Sequence, residues 1–285
     1  MNNNPVILFR QSFHHREAES TLEWESVNRH FSVYQQRTDV HKDSLVVGRY
    51  SVLPYYKELE KDLENRGCTL INSFSQHRWI ANFDYYDVPE IRAHTFETWT
   101  DRDFYCAPEG KFVLKGRTNS RKHQWDTHMY ANSKREAADV ASRLINDGLI
   151  GSQGILYRRY TPLRTFEVGL NGLPFTNEWR FFCLGNKVLS SGFYWSTVRE
   201  DLLEEVKKNR DSLLSERAWT FVYSLAGVVS KYVNFFVLDI GETVTGDWKL
   251  IEINDGQMSG LSENDPDTLY HNLRLNLDLY YESSF

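Results

Sequence analysis

Short apolar runs alternate along this chain with stretches in which apolar residues recur every three or four positions, the patterns of strands and of amphipathic helices. Positions 6–9 and 45–47 read as strands. Pro54 opens a helix in which Tyr56, Leu59 and Leu63 share a face and Gly67 is the stop, and 68–71 returns as a strand. Trp79, Phe83, Tyr85 and Tyr86 then crowd together until Pro89 interrupts them, and a domain boundary is expected near 89–98. A strand over 112–114 ends in Lys115-Gly116. The polar stretch 117–132 that follows has no apolar period and reads as a loop or mobile hairpin. Ser133 and Glu136 form a capping box, Ala137, Val140, Ala141, Leu144 and Ile145 make one apolar face, and Gly148 closes that helix.

The second half continues the alternation. A strand over 154–160 precedes a hairpin whose arms, 179–184 and 188–194, flank Gly185-Asn186. Ala218, Val222, Leu225, Val229 and Tyr232 recur at helical spacing, and strands 235–240 and 248–253 are joined by a Thr-Gly-Asp turn. The tail, 267–281, reads as helical. The whole is an α+β chain with an α/β N-terminal part.

Composition narrows the function classes. Hydrophobic residues at 41% and charged residues at 25% describe an ordinary globular chain, not a disordered one. The 33 Lys and Arg against 39 Asp and Glu give a net charge of −6, so nucleic acid is not an expected partner. Cys68, Cys106 and Cys183 are odd in number and contain no CxxC pair, which argues against a disulfide framework and a zinc site and fits a reducing compartment. The N-terminus lacks a basic-then-apolar leader, and no apolar run reaches about 18 residues, so the expectation is a cytoplasmic protein without a membrane span.

Chemistry is concentrated in the last two strands. Side chains alternate along a strand, so Glu252 and Asn254 share one face while Ile251 and Ile253 share the other, and Asp239 joins the first pair if the strands form an antiparallel hairpin. Two carboxylates and an amide suit a hard cation such as Mg²⁺ held jointly with phosphates. The competing reading puts Asp239 and Glu252 on a solvated face and Asn254 at the start of an Asn-Asp-Gly turn. Lys115, at a strand end before a polar loop, is a candidate phosphate-binding cation, and Arg117, Arg121 and Lys122 form a basic patch in that loop. Gly110-Lys111 lacks the earlier glycine of a phosphate loop, Ser259 is one place late for a GxSxG elbow, and His123 and His128 read as solvated loop residues.

The order of these parts resembles the ATP-grasp superfamily. The residues that carry the resemblance are Phe112-Val-Leu-Lys-Gly116, Ile155-Leu-Tyr-Arg-Arg-Tyr160, Glu178-Trp-Arg-Phe-Phe182, Val237-Leu-Asp239 and Leu250-Ile-Glu-Ile-Asn254. The pattern is more similar to a divergent clade from bacteria and phages, related to a eukaryotic chaperone that assembles a translation initiation factor. The resemblance implies a nucleotide cleft between two α+β subdomains: an N-terminal domain over 1–95, a small subdomain over 96–160 with a mobile loop at 117–132, and a large subdomain over 161–285 carrying the metal site. It implies that Lys115 contacts the ATP phosphates, that the hinge Arg158, Arg159 and Tyr160 holds adenine mainly through backbone groups, and that Glu178 belongs to the nucleotide site. Arg180 would stabilise the transferred phosphate, and Asp239, Glu252 and Asn254 would bind one or two Mg²⁺ ions. Family members carry an earlier nucleotide-binding lysine, yet this chain has no Lys between Lys61 and Lys111, which leaves Arg92 and Arg102 as substitutes in that interval.

The activity implied is ATP-dependent ligation of a carboxylate to an amine through an acyl-phosphate, the substrates being small molecules, peptides or proteins. The alternatives are an ATP-binding assembly chaperone that ligates nothing and a phosphotransferase. Arg10, His14, His15 and the aromatic cluster near Trp79 are expected to help wall the cleft. Asp239→Ala is expected to abolish turnover and leave the fold intact.

Overall fold

Strands β1 (Pro5–Phe9), β2 (Ser32–Tyr34), β3 (Leu45–Arg49) and β4 (Thr69–Leu70) form a parallel sheet ordered β2-β1-β3-β4. Parallel neighbours need crossovers, and helices Glu17–His30 and Tyr56–Glu64 provide them between β1 and β2 and between β3 and β4. Both faces are therefore covered. Val6 and Leu8 pack with Tyr56, Leu59 and Leu63, while Ile7 and Phe9 pack with Val27 and the C-terminal helix, which is why β1 reads as an uninterrupted apolar run. The computed structural model describes residues 5–10 and 17–282, so His14 and His15 lie outside the described residues.

A second sheet, antiparallel and ordered β5-β8-β6-β7, consists of β5 (Thr98–Thr100), β6 (Phe112–Gly116), β7 (Tyr130–Ala131) and β8 (Ile155–Arg159). Helix Lys134–Ile145 covers one face through Ala137, Val140, Ala141 and Leu144. Ser133 caps it by accepting from the Glu136 N–H at 3.1 Å, but the Glu136 carboxylate bonds the Asn132 N–H at 2.8 Å, so the expected reciprocal box is not closed. The helix also stops before Gly148, because Asp147 accepts from the N–H groups of Leu149 and Ile150 and turns the chain there. A complete box, Ser73 with Gln76, starts helix Phe74–Ala81 within the aromatic-rich stretch.

A short hairpin, β9 (Thr165–Val168) with β10 (Pro174–Thr176), leads into the third main sheet. This sheet is antiparallel, ordered β12-β11-β13-β14, with β11 (Glu178–Leu184), β12 (Lys187–Phe193), β13 (Phe235–Glu242) and β14 (Trp248–Asp255). Gly185 takes φ +55° in the β11–β12 turn and Gly246 φ +82° between β13 and β14, conformations that a Cβ disfavours. Helix Glu216–Val229 packs on one face, through Val222, Leu225 and Ala226 against Phe236 and Leu238. Helix Pro266–Glu282 packs on the other, through Leu269, Tyr270 and Leu273 against Phe235 and Val237.

Candidate functional site

β13 is buried on both faces, and its alternation decides where its one carboxylate goes. Phe236, Leu238 and Ile240 enter the core under helix Glu216–Val229, whereas Phe235 and Val237 enter the opposite core, and Asp239 continues that second face. Arg180 stands opposite Asp239 on β11 and Glu252 opposite it on β14. The Arg180 guanidinium forks onto Asp239, Nε to Oδ1 at 2.8 Å and Nη2 to Oδ2 at 2.7 Å, and its Nη1 donates to the Gly260 carbonyl at 2.7 Å. Asn254 Nδ2 donates to Asp239 Oδ2 at 3.1 Å. Asp239 is 0% exposed, and Asn254 lies within β14, so neither the solvated face nor the Asn-Asp-Gly turn describes this region.

Lys115 arrives from the facing sheet. It lies near the end of β6 on the face that carries Val113, and its ammonium pairs with Glu252. One cleft is walled by Lys115, Arg158, Arg159, Tyr160, Glu178 and Glu252, and Asp239, Arg180 and Asn254 adjoin it through Glu252. The sequence-selected residues thus meet along one line, from the 158–160 strand end to the Arg180–Asp239 pair.

The hinge differs in detail from its expected form. The N–H of Arg159 donates to Glu97 O at 2.8 Å and that of Tyr160 to Lys111 O at 2.9 Å, so both are consumed within the protein. The Arg159 guanidinium is held by the Glu109 and Pro108 carbonyls over Trp99 and Phe112. Arg158 points into the cleft instead. It is 5% exposed and donates from Nη1 to Ile251 O at 2.6 Å, while its Nε and Nη2 are buried without a hydrogen-bond partner. Arg92 and Arg102, the expected substitutes for the missing lysine, are exposed. Trp79 stacks on Tyr232 with centroids 4.7 Å apart, and of that aromatic cluster it is Phe83 that backs the cleft, under Arg158. Arg10 bonds the Leu53 carbonyl at the surface.

Two cleft residues were not legible as site residues. Lys122, in the polar loop, reaches the Tyr194 hydroxyl and lies 4.0 Å from the centre of that ring. Tyr194, just past β12, is also covered by Arg180 at 5.0 Å. Neither contact has a signal along the chain, because each joins elements more than 10 residues apart across the cleft.

Burial shapes the electrostatics. It lowers the Lys115 ammonium, with Glu252 opposing the shift. Burial alone would raise Glu252, but Lys115 and Lys122 outweigh it and hold that carboxyl below the ordinary range. Glu178 lacks so close a cation, and burial pushes it from 4.5 to about 7, with Lys122 and the Thr176 hydroxyl opposing. Between those values the folded protein keeps a proton that the unfolded chain has released, so stability falls as pH rises from about 5 to about 7. Glu178→Gln is expected to flatten this slope and to gain roughly 2–3 kcal/mol over wild type between pH 5 and pH 8. Urea denaturation of both proteins at the two pH values is the check, and parallel slopes would mean that Glu178 is ionised throughout.

Residues 103–273 match an ATP-grasp domain family, the third of its clade. The chain belongs to this ATP-grasp family. No curated protein matches it by sequence. The fold is similar to that of D-alanine–D-alanine ligase from Bacillus anthracis complexed with ATP, with TM-score 0.56 and 9% identity over 100% of this chain and 99% of that one. It is likewise similar to D-cycloserine synthetase DcsG, with TM-score 0.52 and 12% identity over 96% and 100%. ATP-grasp ligase PsnB, complexed with precursor peptide PsnA2 and AMPPNP, has TM-score 0.50 and 9% identity over 96% and 97%. These likenesses establish the ATP-grasp fold, with its mixed sheets and helices. The matched span contains every cleft residue from Lys115 to Asn254, while the parallel sheet β1–β4 precedes it.

Proposed function

We propose that this ATP-grasp protein is an ATP- and Mg²⁺-dependent ligase that joins a carboxylate to an amine. The observation that carries the reading is the double ion-pair array, Lys115 with Glu252 and Arg180 with Asp239, at one end of a cleft whose other end is the 158–160 hinge. Cations and carboxylates in alternation are ready to exchange partners: the phosphates of ATP take Lys115 and Arg180, and Mg²⁺ takes Asp239, Glu252 and Asn254. In this reading residues 1–95 form the N-terminal domain, 96–160 the small subdomain with its loop at 117–132, and 161–285 the large one.

The chain's own residues fit both groups. Arg158 brings two buried, unpartnered N–H-bearing nitrogens into the cleft, which an acceptor on the nucleotide would satisfy, and it thereby takes the part of the missing early lysine. The oxygens of Asp239, Glu252 and Asn254 suit a hard cation. Among the described residues no group of three or more His, Cys, Asp or Glu side chains could hold a metal, which suits a site completed by phosphate oxygens and water. Mg²⁺, when bound, would offset charge on the phosphates.

The chemistry is then a sequence of two displacements. A carboxylate oxygen bonds to the γ-phosphorus as the bond to the β–γ bridging oxygen breaks and ADP leaves; the amine nitrogen then bonds to the acyl carbon as the acyl–oxygen bond breaks and phosphate leaves. Arg180 and Lys115 act by placing positive charge where it develops on the transferred group. A carboxylate on a small molecule, peptide or protein is the first substrate, and the ligase and synthetase names of the structural neighbours support this class.

Calorimetric titration of ATP and AMPPNP with and without Mg²⁺ tests the site. Micromolar, Mg²⁺-dependent binding to wild type and its loss in Glu252→Ala are expected. No binding to wild type under any condition would overturn the reading. Stable retention of intact ATP in a complex with a protein partner, with no ADP formed, would replace ligation with an assembly role.

A further inference from the structure

The polar loop after β6 sends one cation across the cleft. Its neighbours are tied to their own side: Arg121 forks onto Asp147, Nε to Oδ2 at 2.7 Å and Nη2 to Oδ1 at 2.6 Å, and Thr118 donates from N–H and Oγ1 to Gln153. On the other flank the His123 carbonyl accepts from Asn171 Nδ2 at 2.9 Å. Between these anchors, Lys122 is directed inward. Its ammonium meets the Tyr194 hydroxyl, lies over the Tyr194 ring, and stands 5.2 Å from the centre of the Trp195 ring. A solvated loop lysine would keep its hydration; this one has exchanged water for aromatic faces.

Position along the cleft decides what such a cation would bind. Arg158 lies at the hinge end, Lys115 beside Glu252, and Lys122 shares the Tyr194 ring with Arg180, the cation farthest from the hinge. A nucleotide laid from the hinge toward Asp239 therefore meets Lys122 with its last phosphate, not with its first two. We propose that Lys122 is a γ-phosphate ligand delivered by the loop, with Tyr194 as the post on which its ammonium rests before the nucleotide enters. The inference rests on the ATP-dependent reading above and adds to it the residue that distinguishes ATP from ADP. An ammonium is a compact, rotatable point charge, able to leave a phenol for a phosphate oxygen without moving its backbone.

The test compares Mg·AMPPNP with Mg·ADP on wild type, Lys122→Met and Lys122→Arg by calorimetry. Methionine keeps an apolar stem over Tyr194 and removes only the charge. The expected result is that Lys122→Met binds Mg·AMPPNP about tenfold more weakly, leaves Mg·ADP within about twofold, and that arginine restores part of the difference. Equal weakening of both nucleotides, or no weakening of either, would overturn the assignment while leaving the nucleotide site in place. Failure of wild type to bind either nucleotide would overturn both this assignment and the reading on which it rests.

Discussion

Asp239→Asn is expected to reduce Mg·ATP-dependent turnover by at least about 10²- to 10³-fold with the fold retained, whereas Asp239→Ala should lose activity and stability together. The difference lies in what the side chain holds. Asp239 is fully buried and takes two bonds from Arg180 and one from Asn254. Asparagine keeps the shape and one acceptor oxygen for the guanidinium but removes the charge that a cation requires. Alanine leaves Arg180 buried with the Gly260 carbonyl, and stripping one partner from a buried pair costs about 3–5 kcal/mol. The expectation from sequence alone, that alanine would spare the fold, is revised by this geometry. ADP release and urea denaturation, measured on both variants, separate the two effects, and wild-type turnover in Asp239→Asn would remove Asp239 from the site.

Asp239, Glu252 and Asn254 were legible because each is a polar residue inside a strand otherwise committed to two apolar cores, and a period of two puts them on one face. Lys115 was legible from its place at the end of an apolar strand. Arg158 was legible as a position but not as a side chain: strand spacing cannot say that Nη1 finds the Ile251 carbonyl on another sheet while two nitrogens stay bare. The 117–132 stretch has no apolar period because its order comes from polar anchors, Arg121 to Asp147 and Thr118 to Gln153, and from the Trp125–His128 helical turn. The hairpin of β9 and β10 escaped for a related reason, since its exposed Val168 and Leu170 do not alternate with a buried face.

The largest expected effect on stability lies outside the matched span, at Glu23. Arg49 ends the apolar strand β3 and reads as a charge leaving the sheet for water, yet it is 0% exposed and Glu23 only 4%. Its guanidinium binds Glu23 through Nε at 3.0 Å and Nη2 at 2.6 Å, and its Nη1 donates to Gly256 O at 2.7 Å and Ser259 O at 2.8 Å. Tyr270, from the C-terminal helix, donates to the same Glu23 oxygen at 2.6 Å. Glu23→Ala strands a buried cation and a buried hydroxyl at once, and a loss of about 3–5 kcal/mol in urea denaturation is expected. Glu23→Ala combined with Arg49→Met should recover much of it, because the cost is that of the unpaired charge and not of the missing pair. Binding should respond differently. Gly256 and Ser259 follow Asn254 in the chain, and the next residue, Gly260, holds Arg180, so Arg49 fixes the segment that joins the two halves of the ion-pair array. The double variant is therefore expected to fold well and still bind Mg·ATP several-fold more weakly than wild type. Wild-type affinity in that variant would mean that Asp239, Glu252 and Asn254 keep their positions without Arg49, and its role would reduce to stability alone.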